Sequence, residues 1–170
     1  DEQIGRTAFD ETGNGHDGLI EAAEWGVGAR GGGLLFDGDS YIEIPDDPDL
    51  DLATEGTLQA WARYSNEGAG GQLIGKCLAG GSGVDCNYAL ALEDPAFVSA
   101  SFCLGDGADA SCNDISSHGF DRMIWHQVVV TWDGTLLRIY LDGRLKKLEW
   151  QTVTPALNDD PLLIGNGFVG

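Results

Sequence analysis

Two aspartate–glycine pairs set between alternating apolar runs constrain this chain more than any other feature. Asp133-Gly134 separates Trp125–Trp132 from Thr135–Leu141, and Asp142-Gly143 follows at once. A two-residue hairpin turn needs positive φ at its centre, and Asp-Gly supplies it with little strain. Leu137, Ile139 and Leu141 recur at every second position, the period of a strand with one buried face. The same period appears in Ser40–Pro45 (Ile42, Ile44), in Thr57–Tyr64 (Leu58, Ala60 and Ala62 opposite Trp61) and in Asn87–Leu92 (Tyr88, Leu90, Leu92). Phe97–Cys103 follows the turn at Asp94-Pro95, and Pro161–Gly165 is a last short strand. One helical candidate, Gly18–Trp25, is ended by Gly26. Gly26–Gly33 is expected to be the most flexible stretch, too short to divide domains. The pattern predicts an all-β chain, a two-sheet antiparallel β-sandwich forming one domain over residues 1–170.

The 28 acidic residues against 9 basic ones give a net charge of −19. Such a surface repels nucleic acid and anionic lipid, which excludes those partners. No apolar run is long enough for a membrane-spanning helix, so membrane insertion is not expected. The chain opens on Asp1-Glu2-Gln3, as a processed chain would, with no signal-peptide pattern. The surplus carboxylates serve solubility, or in part bind cations.

Cys77, Cys86, Cys103 and Cys112 form two C-x8-C pairs. Zinc sites use closer spacings, so disulfides and an oxidising, extracellular compartment are expected. Cys77–Cys86 with Cys103–Cys112 is the favoured pairing. Cys86–Cys103 with Cys77–Cys112 is the alternative, should Glu93–Ala96 form a four-residue turn. No N-x-S/T sequon occurs.

Several motifs fail on context. Gly13–Gly18 and Gly26–Gly31 both match G-x-G-x-x-G, but neither opens a helix of useful length, so no dinucleotide site is expected. Asp47, Asp49 and Asp51 imitate an EF-hand, yet Leu52 stands where glycine is needed. No predicted strand carries the paired carboxylates of a glycosidase. His16, His118 and His126 have no evident nucleophile partner. No catalytic residue is therefore assigned.

Segments in order along nearly the whole chain resemble the laminin-G-like jelly-roll family, related to pentraxins and legume lectins and concanavalin A-like in fold. They are Thr7-Ala8-Phe9-Asp10-Glu11-Thr12-Gly13-Asn14-Gly15-His16-Asp17-Gly18, Leu35-Phe36-Asp37-Gly38-Asp39-Ser40-Tyr41-Ile42-Glu43-Ile44-Pro45, Leu50-Asp51-Leu52 with Thr57-Leu58-Gln59-Ala60-Trp61, Trp125–Gly134, Leu141-Asp142-Gly143 and Leu163-Ile164-Gly165. The resemblance implies a structural calcium ion (Ca2+) at Asp10, Asn14, Asp17 and Asp37, although Asp-Gly and Asn-Gly are good turn formers without metal. Family members carry a further strand at each end. The chain is thus expected to be part of a longer polypeptide, or to receive those strands from a partner by edge pairing.

The function implied is a secreted or cell-surface, non-catalytic, calcium-dependent module that recognises a glycan or an extracellular protein. One alternative is a structural subunit of an extracellular filament or adhesin that self-associates through open sheet edges. Another is an accessory domain of a polysaccharide-degrading enzyme. Trp61, Trp125 and Trp132 lie within strands and are expected in the core. Trp150, beyond the last clear hairpin, is the candidate ligand-binding aromatic.

Overall fold

A computed structural model describes residues 4–64, 71–77, 86–93, 99–105, 110–115, 123–151 and 154–166. Its strands are β1 (Thr7–Ala8), β2 (Gly18–Glu21), β3 (Glu24–Val27), β4 (Gly32–Leu35), β5 (Tyr41–Ile44), β6 (Gly56–Ala62) and β7 (Gly71–Cys77). There follow β8 (Cys86–Glu93), β9 (Ser99–Gly105), β10 (Ala110–Ile115), β11 (His126–Trp132), β12 (Leu136–Leu141), β13 (Arg144–Trp150) and β14 (Leu162–Ile164). One sheet runs β1-β2-β5-β14-β7-β8-β9-β10, a second runs β13-β12-β11-β6, and β3-β4 form a separate pair. All these pairings are antiparallel.

The apolar alternation read from the sequence is the core. Ile42 and Ile44, Leu58 and Ala62, Tyr88, Leu90 and Leu92, and Leu137, Ile139 and Leu141 are all buried in one cluster. Trp132 lies at its centre, 2% exposed, with its ring centroid 6.1 Å from that of Tyr88. Gly56 stands against that indole, and a Cβ there would collide with the ring. Asp142 and Gly143, with φ of 50° and 73°, make the β12–β13 turn that the Asp-Gly pair predicts. Asp142 also accepts from the Gln127 amide at 2.9 Å and meets Nδ1 of buried His126 at 2.7 Å. His126 is thus a staple between β11 and that turn.

Three expectations are corrected. The helical candidate Gly18–Trp25 is instead strand β2 and the start of β3. Its burial alternates at Gly18, Leu19 and Ile20, and a Cβ on Gly18 would strike Ile42, so pairing to β5 decides the segment over local propensity. Gly26–Gly33 is an ordered hairpin, with Gly26 opposite Gly33 and the Gly28 amide donating to Gly31 O at 3.0 Å. Trp150 closes strand β13, so the β12–β13 hairpin extends to it.

A disulfide joins Cys77 to Cys86 across β7 and β8, which excludes the Cys86–Cys103 alternative. The β9–β10 register sets Cys103 opposite Cys112; their side chains lie outside the described residues, as do Asp94–Ala96 and His118.

Candidate functional site

A groove of 490 Å³ opens between edge strand β6, strand β7 and the β3–β4 hairpin, within the size range of small-ligand sites, roughly 300–1,000 Å³. Trp61 and Trp125 lie along it with Arg30 and Arg63. Each aromatic is where strand geometry puts it. Trp61 alternates with buried Ala62 and faces away from the core, 41% exposed, on the strand that ends the four-stranded sheet. Trp125 precedes β11, and the β6–β11 register, ending at Ala62 opposite His126, brings it beside Arg63. The Met123 amide donates to Tyr64 O at 3.0 Å, which holds the two segments together past the last strand pair.

Each arginine covers one of these rings. The Arg30 guanidinium carbon lies 5.7 Å from the Trp61 ring centroid, and that of Arg63 lies 5.1 Å from Trp125. A cation over an indole face is held by the ring quadrupole, and the planar fork keeps its N–H donors free at the edge. Arg30 arrives on the turn of the β3–β4 hairpin, where Gly31 takes φ of 72°. The hairpin is tied down by Trp25, whose Nε1 donates to Gly5 O at 3.0 Å. Gln72 on β7 lines the groove as well, and its Nε2 is a buried donor without an acceptor among the described residues. Such a group ordinarily has a partner.

The opening loop is organised around Asp10. Its Oδ1 accepts from the Thr12 amide at 2.8 Å and hydroxyl at 2.6 Å, and its Oδ2 from the amides of Asn14, Gly15 and His16 at 2.9, 3.0 and 3.3 Å. The Thr12 hydroxyl first, and then these amides, hold the Asp10 carboxyl well below its ordinary range. Asp17 Oδ1 accepts from the Asp10 amide at 2.7 Å. Asp37 sits in another turn, its Oδ1 accepting from Asp39 and Ser40 amides at 3.1 and 3.0 Å, and Ser40 first among its partners lowers its pKa too.

Asp10, Asp17 and Asp37 do not bring one ligand atom each within 4.8 Å of one another. Among the described residues, His16, Asp47 and Asp49 do. Asp47 also accepts from the Asp49 amide at 2.9 Å at the head of the 3-10 turn Pro48–Leu50. Trp150 lies elsewhere, 69% exposed on β13 and outside the groove lining. Its cross-strand partner Leu136, like Arg138 opposite Leu148, alternates with buried Leu137 and Ile139, so Leu148 and Trp150 share the outer face of the four-stranded sheet.

Trp61 and Trp125 were hard to find in the sequence because a tryptophan in a strand is ordinarily core, as Trp132 is. The usable signal was alternation: Trp61 falls out of phase with Leu58, Ala60 and Ala62. Arg30 carried no signal, since its place depends on a hairpin from a glycine run.

The family model described as the concanavalin A-like lectin/glucanases superfamily matches residues 36–170. No curated protein matches the chain in sequence. Among solved structures, the binding domain of Paraclostridial Mosquitocidal Protein 1 aligns with a TM-score of 0.71 at 12% identity, covering 91% of this chain and 40% of that one. The ligand binding domain of botulinum neurotoxin serotype D, solved in complex with N-acetylneuraminic acid, aligns with a TM-score of 0.68 at 13% identity, covering 92% and 39%. Domain 4 of a GH43 extracellular arabinanase from Geobacillus stearothermophilus, in complex with arabinotriose, gives 0.68 at 16%, covering 95% and 79%. The chain spans about 40% of the length of the toxin binding domains. At these identities the likeness is one of fold.

Proposed function

We propose, from the premise that this chain belongs to the concanavalin A-like lectin/glucanases superfamily, that it is a non-catalytic module binding carbohydrate in the Trp61–Trp125 groove. The observation that carries this reading is the pair of indoles, each topped by an arginine, along one groove. The indole surface that the arginines leave uncovered offers apolar contact to sugar C–H groups, and the arginine forks offer N–H donors to sugar oxygens. Glycoside hydrolysis ordinarily uses two carboxylates flanking the scissile bond. No Asp or Glu is among the described lining residues, which favours binding over cleavage. The toxin domain holding N-acetylneuraminic acid and the arabinanase domain holding arabinotriose lend support from the same fold. An extracellular setting fits the Cys77–Cys86 disulfide.

The test is affinity electrophoresis against a panel of soluble polysaccharides, followed by titration calorimetry on any that retard the protein. Trp61→Ala and Trp125→Ala are expected to weaken binding at least tenfold while keeping the circular dichroism spectrum, and Trp150→Ala to leave it unchanged. Retention lost in Trp150→Ala and kept in Trp61→Ala would move the site to the outer sheet face.

A structural calcium ion is a second reading, supported by the resemblance of the opening loop and by the cluster of Asp47 and Asp49 with His16. Hard carboxylate oxygens suit calcium, whereas the Asp10 carboxylate is already surrounded by donors. An ion there would tie the opening loop to the 3-10 turn.

A further inference from the structure

Carboxylates outnumber cations threefold in this chain, 28 to 9, so a surface arginine has many acceptors to choose from. Four of the described cations take them, whereas Arg144 and Lys146, exposed on β13, have no carboxylate within ion-pair distance among the described residues. Arg6 pairs with Glu21, Lys76 with Asp46 and Asp51, Arg138 with Asp133, and Lys147 with Glu149. Arg30 and Arg63 do not: among the described residues neither has a carboxylate within ion-pair distance. Both instead lie over tryptophan rings on one groove, whose described lining holds no Asp or Glu. Among the described residues, the groove is a cationic island on a molecule of net charge −19.

Resting on the carbohydrate reading of this groove, we infer that its ligand is a glycan bearing isolated anionic groups, a carboxylate or a sulfate ester, held by Arg30 and Arg63. A guanidinium fork binds such planar or tetrahedral oxyanions through paired N–H donors. The ring beneath each arginine shields one of its faces from water, which strengthens the interaction. Long-range charge then limits the class. The acidic surface repels a dense polyanion from beyond a Debye length of about 8 Å at physiological salt. A sugar chain with widely spaced charges presents one anion to the island and neutral rings to the surroundings.

The test uses the whole chain and titration calorimetry at 0.15 M salt. The probes are glucuronoxylan oligosaccharides, the same oligosaccharides after carboxyl reduction, and sulfated galactan oligosaccharides beside their desulfated form. At least one charged probe is expected to bind tenfold or more tightly than its neutral counterpart, and which one does identifies the anion as carboxylate or sulfate. Arg30→Gln and Arg63→Gln are expected to erase that margin, lowering affinity for the charged form by more than for the neutral form, and Arg63→Lys to restore it only in part. Thermal melts and dichroism of each variant separate lost recognition from lost folding. Equal affinity for charged and neutral members, or arginine variants that bind the charged form normally, overturns the inference and leaves the groove a neutral-glycan site. Binding to no saccharide at all overturns both.

Discussion

Lys76 Nζ lies 2.6 Å from Asp46 Oδ1, and the lysine side chain has no solvent exposure. The same ammonium lies 2.9 Å from Asp51 Oδ1 and donates to Asn158 O at 2.6 Å and Oδ1 at 3.0 Å. One cation on β7 thus holds the loop around the 3-10 turn and the segment leading into β14. Buried Asn87 repeats the connection, donating to Ala156 O at 2.6 Å and accepting from the Leu52 amide at 3.0 Å.

Removing one partner of a buried ion pair leaves the other desolvated and uncompensated, at a cost of about 3–5 kcal/mol. Lys76→Met is expected to fall in that range by urea denaturation, and Asp46→Asn to cost less because Asp46 is one-third exposed. Burial opposes the Lys76 charge, but the hydrogen bond it donates to Asp46 and its ion pair with Asp51 outweigh that and raise the pKa above the ordinary 10.5. The stabilisation is therefore complete below about pH 10.5 and fades as pH rises through the higher folded value. A Lys76→Met variant with wild-type stability at pH 7 removes this account of the loops.

Asp10 gives the opposite dependence. Its pKa is depressed from 3.8, so its contribution is present above about pH 4 and is lost as pH falls through the lower folded value. Asp10→Asn is expected to melt below wild type at pH 7, with the gap closing as both are acidified. Melting curves from pH 7 to pH 2 check this. A constant gap across that range means that the amide contacts, and not the charge, hold the loop.

The strands with strict alternation were legible because burial and period agree there: β5, β6, β8, β11 and β12 all follow apolar residues at every second place. Strand β7, Gly71–Cys77, was not, because it buries Gly75 and Lys76, a glycine and a charged residue that read as loop, while Leu73 and Ile74 do not alternate. Strand β13 was missed for a related reason. Its charged Lys147 and Glu149 pair with Ile139 and Leu137, whose side chains enter the core, while Leu148 and Trp150 face outward. That inversion suits an edge strand, where inward charges discourage further pairing. The groove was not visible. The resemblance pointed to Asp10, Asn14, Asp17 and Asp37 as calcium ligands, and these lie outside it; the groove depends on three segments far apart in the chain, and no local pattern announces such a meeting.

Calcium is tested by thermal unfolding. A ligand that binds only the folded state raises the midpoint by mass action, about 2.7 kcal/mol at a hundredfold excess over Kd. Stripping the protein with EDTA is expected to lower the midpoint, calcium to restore it and magnesium not to. Asp49→Asn is expected to shrink that response while keeping the fold. An unmoved midpoint means that the donors around Asp10 order the loop unaided.

The hairpin that carries Arg30 offers the last prediction. A Cβ on Gly28 would collide with the backbone carbonyl oxygen of Gly32 and come within 3.2 Å of the Gly33 nitrogen. Backbone on both sides leaves no flexible side chain to yield, so β3 and β4 must separate. Because, among the described residues, they pair only with each other, the disturbance is expected to stay local. Gly28→Val should lower the midpoint by no more than a few degrees, yet move Arg30 off Trp61 and weaken saccharide binding to the level of Arg30→Gln. Tryptophan fluorescence gives an independent readout, since withdrawing a cation from over an indole changes its emission. Full-strength binding in Gly28→Val, with its fluorescence unchanged, means that the arginine reaches Trp61 without this hairpin geometry.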